Sequence, residues 1–464
     1  MDEVKTKPGK TKEFALAMTT RYDGYDVVIA GSGPGGCVLA KDLACKGKRV
    51  AVLEQGDDSR AFIGSPLAMV CGKHTVSDFP NAFWGKLTAS KAEVILGKGL
   101  GGGTKLYGAN AVMPDFDLWR RHDVDLEPFI EDAKEECWIS TVPEEFIGPG
   151  AKKIQEGYRK LGIAVEPALT HIRYDLCKVG CKQCGAAGCK IGARWEGKIA
   201  AEDAIEHGAE FIYHAVVDRA IVENGKAVGF KATVKGSPIE VRGKVAVCAC
   251  GGYGSVLVAK RSGVKGAGNR FTGDPCVITF GFVEGLDNSK DSSTASVFAN
   301  DTENGYFFMD QLLPFPVWLM NFATNEGPLS AAKDINKYKS AIIGMLKIHD
   351  EDEGYVREDG SFDKIFTKQD KERLAYAIDL HHKIFAAAGC DPKSIHDSNV
   401  ILGHPSGTVP IGKALDKWGE SVDVPNLYFC DASVFPEALG IPPTLNIVNF
   451  AKYLSNHLLT TVLQ

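Results

Sequence analysis

The sequence predicts an α/β protein in which a Rossmann-like dinucleotide-binding unit is joined to a smaller α+β part. Three observations predict it. Residues 26–56, DVVIAGSGPGGCVLAKDLACKGKRVAVLEQG, have the makings of a strand, a phosphate-binding turn, a helix and a second strand. A second glycine-rich loop follows at 97–110, and from His404 the chain reads as a glycine-containing loop, a strand ending in an acid, and a last amphipathic helix. At 464 residues the chain also exceeds the usual span of one hydrophobic core, so two domains are expected.

The elements follow in order. Residues up to about Asp23 look like a loosely docked arm. The apolar run 27–30 reads as a buried parallel strand, and Gly31, Gly33 and Gly36 stand after it in GxGxxG order before a helix running to Cys45. Gly31 permits the tight turn, Gly33 lets backbone approach a pyrophosphate, and Gly36 lets helix and strand pack closely. The helix N-terminus offers free N–H groups to the phosphate charge. The next strand, 50–53, ends at Glu54, 23 positions after Gly31, where a carboxylate can accept ribose hydroxyls and would repel a 2′-phosphate.

In GKGLGGGTKLYGAN six glycines fall between 97 and 108, among them Gly101, Gly102 and Gly103 before Thr104. Such density suits close approach of backbone to a ligand and weakens either a helix or a strand. From about 208 to 251 short β-rich runs broken by Asn224-Gly225 and Gly236-Ser237 read as strands and hairpins returning to a sheet that ends at Gly251. Residues 276–400 change character: aromatic and apolar residues (Phe307, Phe308, Met309, Phe315, Trp318, Phe322) suit a pocket wall or a plain core, and a charged helix follows near 368–388.

Composition narrows the function classes. Hydrophobic residues make up 44% and charged residues 24%, as in ordinary globular proteins. A net charge of −6 over this length leaves no broad basic surface, which argues against nucleic acid as a partner. The polar start MDEVKTKPGKTKEF lacks the apolar core of a secretory signal and no apolar run is long enough to span a bilayer, so a cytoplasmic place and no membrane span are expected. Thirteen cysteines in such a chain point to reduced thiols or metal ligands rather than a disulfide framework.

On these residues the chain resembles the glucose-methanol-choline family of flavoprotein oxidoreductases, through the first ~110 residues, about 189–275, and everything after His404. The matching motifs are Gly31, Gly33, Gly36 and Glu54, the GLGGGT loop with Gly101, Gly102, Gly103 and Thr104, the CGGYGS turn with Gly251, and NLYFCDASVFP. The resemblance implies FAD in a discontinuous domain of residues 24–115, 189–275 and 401–464; because no His follows the glycine loop, where covalently flavinylated members carry one, the FAD is expected to be noncovalent. It implies a cysteine-cluster or cap segment at 116–188 and a substrate-binding domain at 276–400. It assigns Val217 to adenine by its backbone, Asp431 and Ala432 to pyrophosphate and ribitol, and the start of the last helix, at Thr444, to the flavin pyrimidine. His404, in an HxxGT pattern, is by resemblance the base that takes the substrate hydroxyl proton as hydride leaves carbon for flavin N5. An imidazole of ordinary pKa about 6.5 suits that task.

Two departures qualify the match. The slot two positions after Gly440, where relatives carry Asn or His as a second hydrogen-bonding partner to substrate oxygen, is Pro442, so Asn446 is the expected partial substitute, with Asn449 beside it. Tyr107 replaces an Asn usual after the glycine loop. Separately, Cys177, Cys181, Cys184 and Cys189 put four thiols within thirteen residues, spaced to wrap one metal centre. Three readings stand: an iron–sulfur cluster, a zinc site, or structural and redox-active thiols. CKIGAR, from Cys189, is similar to the CPIGA stretch of cluster-bearing sugar and sugar-acid dehydrogenases in this family, and the cluster is also similar to a CxxCxxGCxxGAK stretch of its long-chain alcohol oxidases, which has no recognised electron-transfer role.

The resulting expectation is an FAD-dependent dehydrogenase oxidising a CH–OH group of a small, moderately hydrophobic or cyclic substrate. Its electrons would leave through the cysteine cluster to an acceptor protein or a quinone. The alternatives are a flavin-dependent reductase of an activated C=C bond, a redox-neutral lyase or isomerase, and an electron-transfer or redox-sensing flavoprotein.

Overall fold

The computed structural model describes residues 19–58, 85–86, 93–94, 96–181, 188–301, 304–311 and 335–464. Two sheets organise them. The first has seven strands, and its parallel centre joins distant parts of the chain: Leu427–Phe429 pairs with Ser237–Cys248, which pairs with Thr20–Ala30, then Val50–Leu53, then Glu210–Ile212. Val27, Val28, Ile29 and Ala30 are wholly buried, as helices on a parallel sheet require. The helix Pro34–Ala44 has Pro at its first turn and buries Val38, Leu39 and Leu43.

The first strand is longer than its apolar run. Thr20, Arg21 and Tyr22 pair with Ile239, Glu240 and Val241, and an irregularity between Tyr22 and Tyr25 spans Gly24, whose φ is +88°. The expected arm is therefore strand from Thr20 onward; pairing to a neighbour's backbone holds it although its side chains are exposed. The twelve-residue strand Ser237–Cys248 changes partner along its length. Its early residues pair antiparallel with Lys226–Val234, and Ala246, Val247 and Cys248 pair parallel with Leu427–Phe429.

The second sheet is mainly antiparallel and centres on Pro275–Phe282, Ala341–Ile348, Tyr306–Asp310 and Val297–Asp301. Short strands from outside 276–400 extend it: Gly85–Lys86, Glu93–Val94, Glu166–Pro167 and Ile401–Leu402. Strand alternation gives it two faces. Val277, Leu346, Tyr306 and Phe308 pack with Ile154 and Tyr158 of the helix Pro149–Lys160 and with Ile384 and Phe385 of the helix Lys368–Ala387. On the other face Phe307 and Met309 pack with Met345 and Ile441. Of the expected wall residues, Phe315, Trp318 and Phe322 lie outside the described residues. Among the described residues no helix is long and apolar enough to cross a membrane.

Candidate active site

The turn after the first strand shows what each glycine does. Gly31 has φ +100°, and a Cβ there would lie 2.2 Å from the carbonyl oxygen of Ala249; a Cβ on Gly36 would lie 2.2 Å from that of Gly31. Gly35, which the spacing rule passes over, is tighter still: its Cβ would meet the Cys430 carbonyl oxygen at 2.0 Å. Gly33 behaves differently. A Cβ there would meet only the Ala249 oxygen, at 3.9 Å, and Gly103 and Gly251 have nothing within 4 Å. The loop is thus packed hard on its helix side and open on the other.

The second glycine loop docks onto the first. Gly101 donates its N–H to the Ser32 carbonyl at 2.9 Å, and a Cβ on Gly102 would lie 2.9 Å from the Gly33 Cα. Thr104 accepts the Gly197 N–H at 2.9 Å, tying the loop to the start of the helix Gly197–Glu206. Glu54 links both loops. One carboxylate oxygen accepts the Ser32 N–H and hydroxyl at 3.1 and 2.6 Å, the other the N–H groups of Gly56 and Gly99 at 2.7 and 3.0 Å. Four donors match the lone-pair capacity of a carboxylate. A further donor would gain Glu54 only by displacing one of these, and the Ser32 hydroxyl is the one that can rotate away.

Asp431 performs the corresponding task at the other end of the sheet. It accepts the Gly251 N–H at 2.8 Å, the Ser255 hydroxyl at 2.5 Å and the Ser433 N–H at 2.7 Å. Burial pushes its carboxyl above the ordinary range while these donors oppose the rise. Ala432 accepts the Gly407 N–H at 3.0 Å, joining this segment to the His404 loop. Val217 sits at a register shift in the strand Ala215–Glu223. Thr444 opens the last helix, Thr444–His457, whose N-terminus has no side-chain cap and is preceded by Pro442 and Pro443.

His404 stands where the two sheets meet. Its N–H donates to the Gly273 carbonyl at 3.1 Å, and the bridge between Thr272 and Ser406 holds the two segments together. Asp274 follows directly. One of its carboxylate oxygens lies 3.0 Å from Nδ1 of His404; the other accepts the Gly440 N–H at 3.0 Å. Asp274 has φ +47°, the left-handed region, immediately before Pro275. A non-glycine residue held there signals backbone strain of the kind that clusters at functional sites. Lys347 completes the group, its Nζ 2.9 Å from Nδ1 of His404. The His404 side chain keeps 26% exposure, whereas Asp274 and Lys347 are 2% and 1% exposed. Burial and then the Lys347 ammonium push the imidazole below its ordinary value, against the pull of Asp274.

Asn446 lies in the first turn of the last helix. It is fully buried, and its carbonyl oxygen accepts the Trp119 indole N–H at 3.0 Å. Asn449 likewise is buried and donates to the Leu126 carbonyl at 3.1 Å. Tyr107 is bound to the Trp195 carbonyl and lies under the Arg194 guanidinium at 5.2 Å. Asp274 and Lys347 belong to none of the sequence motifs. Their traces in the sequence are an Asp-Pro pair opening a strand and a single lysine in the apolar run AIIGMLKI.

The residues fit FAD by two observations. The open sides of Gly33, Gly103 and Gly251 form a cradle that side chains would fill. The buried Asn446 Nδ2, near the start of the last helix, and the buried Lys105 Nζ, beside Thr104, have no hydrogen-bond partner among the described residues. Of the four clustered cysteines, Cys177 and Cys181 are half-buried, Cys189 is buried, and Cys184 lies outside the described residues. Burial, with a smaller contribution from Cys181 and Cys189, pushes the Cys177 thiol up to about 11. Among the described residues no group of three His, Cys, Asp or Glu is disposed to hold a metal ion.

Family models for GMC oxidoreductases match residues 25–276 and 361–451. A long-chain-alcohol oxidase of Arabidopsis thaliana is 24% identical over 92% of this chain and 67% of its own length. An uncharacterized protein of Methanocaldococcus jannaschii is 25% identical over 92% of this chain and 98% of its own. The crystal structure of pyridoxine 4-oxidase from Mesorbium loti superposes with a TM-score of 0.70 over 94% of this chain and 99% of that one; at 14% identity this likeness concerns the fold.

Proposed function

Because the chain belongs to the GMC oxidoreductase family, FAD-dependent enzymes acting on CH–OH groups, we propose that it oxidises a moderately hydrophobic alcohol with His404 as the base. When bound, FAD accepts the hydride of the carbinol carbon. The observation that carries the reading is the fixed pair His404 and Asp274. Asp274 occupies Nδ1, is held in turn by the Gly440 N–H, and leaves Nε2 to take the hydroxyl proton. A histidine kept below its ordinary pKa is neutral, and so able to act as base, at and somewhat below neutrality.

The remaining assignments follow the same logic. Gly31, Gly33, Gly36, Glu54, the Gly101–Thr104 loop, Val217, Gly251, Asp431, Ala432 and Thr444 hold FAD noncovalently, and Asn446 offers its unpartnered Nδ2 to the same cofactor. The first sheet is the FAD-binding part, and the apolar face of the second, with Phe307, Met309, Met345 and Ile441, walls the substrate. That wall supports an apolar or cyclic alcohol. The name of the Arabidopsis relative agrees in class.

For the electron outlet, an iron–sulfur cluster at Cys177, Cys181, Cys184 and Cys189 is supported by their spacing in the sequence. Direct transfer to oxygen is the competing reading, favoured by the oxidase names of the relatives. Iron, sulfide, zinc and flavin quantified on freshly purified protein decide between them. About three to four irons per chain support the cluster; flavin without iron supports oxygen. The reaction itself is tested by anaerobic mixing with 1-octanol, cyclohexanol and benzyl alcohol. Bleaching of the flavin band by at least one of them is expected, and bleached flavin that an enone alone reoxidises would favour the reductase reading.

A further inference from the structure

Lys347 is a cation almost without access to solvent, 1% exposed, in a strand that is otherwise apolar. The register sets it beside Cys276 on one neighbouring strand and Phe307 on the other, on the face that carries Met309 and Met345. Its Nζ lies 2.9 Å from Nδ1 and 3.5 Å from Nε2 of His404. Asp274 approaches the same Nδ1 at 3.0 Å.

A neutral imidazole has one nitrogen that donates and one that accepts. Nδ1 therefore cannot accept from Lys347 and donate to Asp274 at once. Where Lys347 is an ammonium donating to Nδ1, the ring proton sits on Nε2. Where the Nδ1 proton faces Asp274, Nε2 is bare, and a charged Lys347 beside that N–H is unfavourable. Only the second arrangement presents a lone pair to a substrate hydroxyl.

We propose that His404 and Lys347 form a proton relay, in which the substrate proton enters at Nε2 and the Nδ1 proton passes to the Lys347 amine. The O–H and Nδ1–H bonds break, the Nε2–H and Nζ–H bonds form, and the ring ends neutral with a donor facing the product oxygen. The relay rests on the reading of His404 as base. It supplies the donor that Pro442 cannot, and Lys347 is a positioning residue because its burial keeps it from the substrate.

The surroundings suit a proton that moves. Asp274 is the carboxylate in contact with the pair. Cys276 donates to the Ile401 carbonyl at 3.2 Å, and burial pushes its thiol up to about 11, so it stays neutral. Asp350 is matched by Lys364 at 2.6 Å. On the opposite face of the sheet Asp310 is engaged by His381 at 2.9 Å and by Tyr158. His349 packs under Gly440. Burial lowers the pKa of the Lys347 ammonium, and Asp274 and Cys276 oppose the fall in part.

The test uses FAD-loaded enzyme, Lys347→Met, Lys347→Arg and His404→Ala, with two readouts. The first is the NMR titration of His404 in oxidised enzyme without substrate, assigned by its loss in His404→Ala. The second is the pH profile of flavin reduction by whichever of the three alcohols bleaches the wild type. Arginine keeps the charge and cannot accept a proton. Lys347→Met should raise the His404 midpoint by about one unit, the scale on which a neighbouring charge acts. Lys347→Arg should leave it low yet slow reduction by at least roughly tenfold, below the loss expected of the base itself. An arginine or a methionine variant as fast as wild type overturns the relay. Full-speed reduction in His404→Ala overturns the base reading instead. Far-ultraviolet dichroism and flavin content establish that each variant is folded, and Lys347→Gln, which fills similar volume and cannot accept a proton, replaces methionine should that variant not fold; full-speed reduction in it overturns the relay.

Discussion

A side chain on Gly35 would begin 2.0 Å from the carbonyl oxygen of Cys430, so the first helix and the last strand of the dinucleotide sheet touch backbone to backbone. The same turn leaves Gly33 facing open space. Gly35→Ala should therefore lower the unfolding free energy by ~1–3 kcal/mol, the range for overpacking a tight contact. Gly33→Ala should leave thermal stability of the cofactor-free protein near wild type and weaken FAD binding. Melting curves with and without added FAD separate the two.

Ser32 and Glu54 make a second pair of opposed expectations. Ser32→Ala frees one acceptor position on Glu54, and FAD affinity should hold or tighten. Glu54→Gln removes the charge that gathers the N–H groups of Gly56 and Gly99, and FAD should bind at least roughly tenfold more weakly, as loss of about 1.5–3 kcal/mol per charged hydrogen bond implies. Flavin fluorescence titration measures both.

His404→Ala should retain FAD yet slow flavin reduction by at least about a hundredfold, the minimum usually lost with a general base. In the wild type the acid limb of kcat/KM should lie below about 6.5, the ordinary histidine value, because a lowered pKa means the neutral base persists as pH falls. Stopped-flow absorbance across pH checks the limb and the rate together.

Lys364 and Asp350 form an ion pair with no exposure at 2.6 Å. Asp350 also accepts the Thr272 hydroxyl at 2.7 Å, two residues before Asp274. Lys364→Met should destabilise the protein by ~3–5 kcal/mol, since it strands a buried carboxylate. The additional change Asp350→Asn should recover part of that loss in urea unfolding.

The dinucleotide unit was legible because its signals are local: an apolar strand, glycines at fixed offsets and an acid closing the next strand all fall within about thirty residues. Gly35 was not, because its constraint comes from Cys430, far along the chain, and no spacing rule contains it. Asp274 and Lys347 were hidden for the same reason. Asp274 precedes one strand of the second sheet and Lys347 lies within another; the pairing of Pro275 and Cys276 with Leu402 and Ile401 brings Asp274 to His404, and the pairing of Cys276 with Lys347 brings the lysine. Asn446, close in sequence to Pro442, lies within the last helix, and its carbonyl oxygen is taken by Trp119, a partner 327 positions away that no local pattern contains. The early β pairing of Thr20–Tyr22 was missed because those side chains are exposed and carry no apolar pattern.

The strand Ser237–Cys248, which exchanges one neighbour for another along its length, also has a bearing on how the molecule is made. Its first half can close against Lys226–Val234 as soon as that hairpin has left the ribosome, whereas its second half waits for Leu427–Phe429. Until then one edge of the sheet stays unsatisfied and open to wrong partners. Synthesis that stalls before Leu427 should accordingly yield an aggregation-prone, chaperone-dependent chain, and FAD should be captured late, after nearly all of the polypeptide has been released.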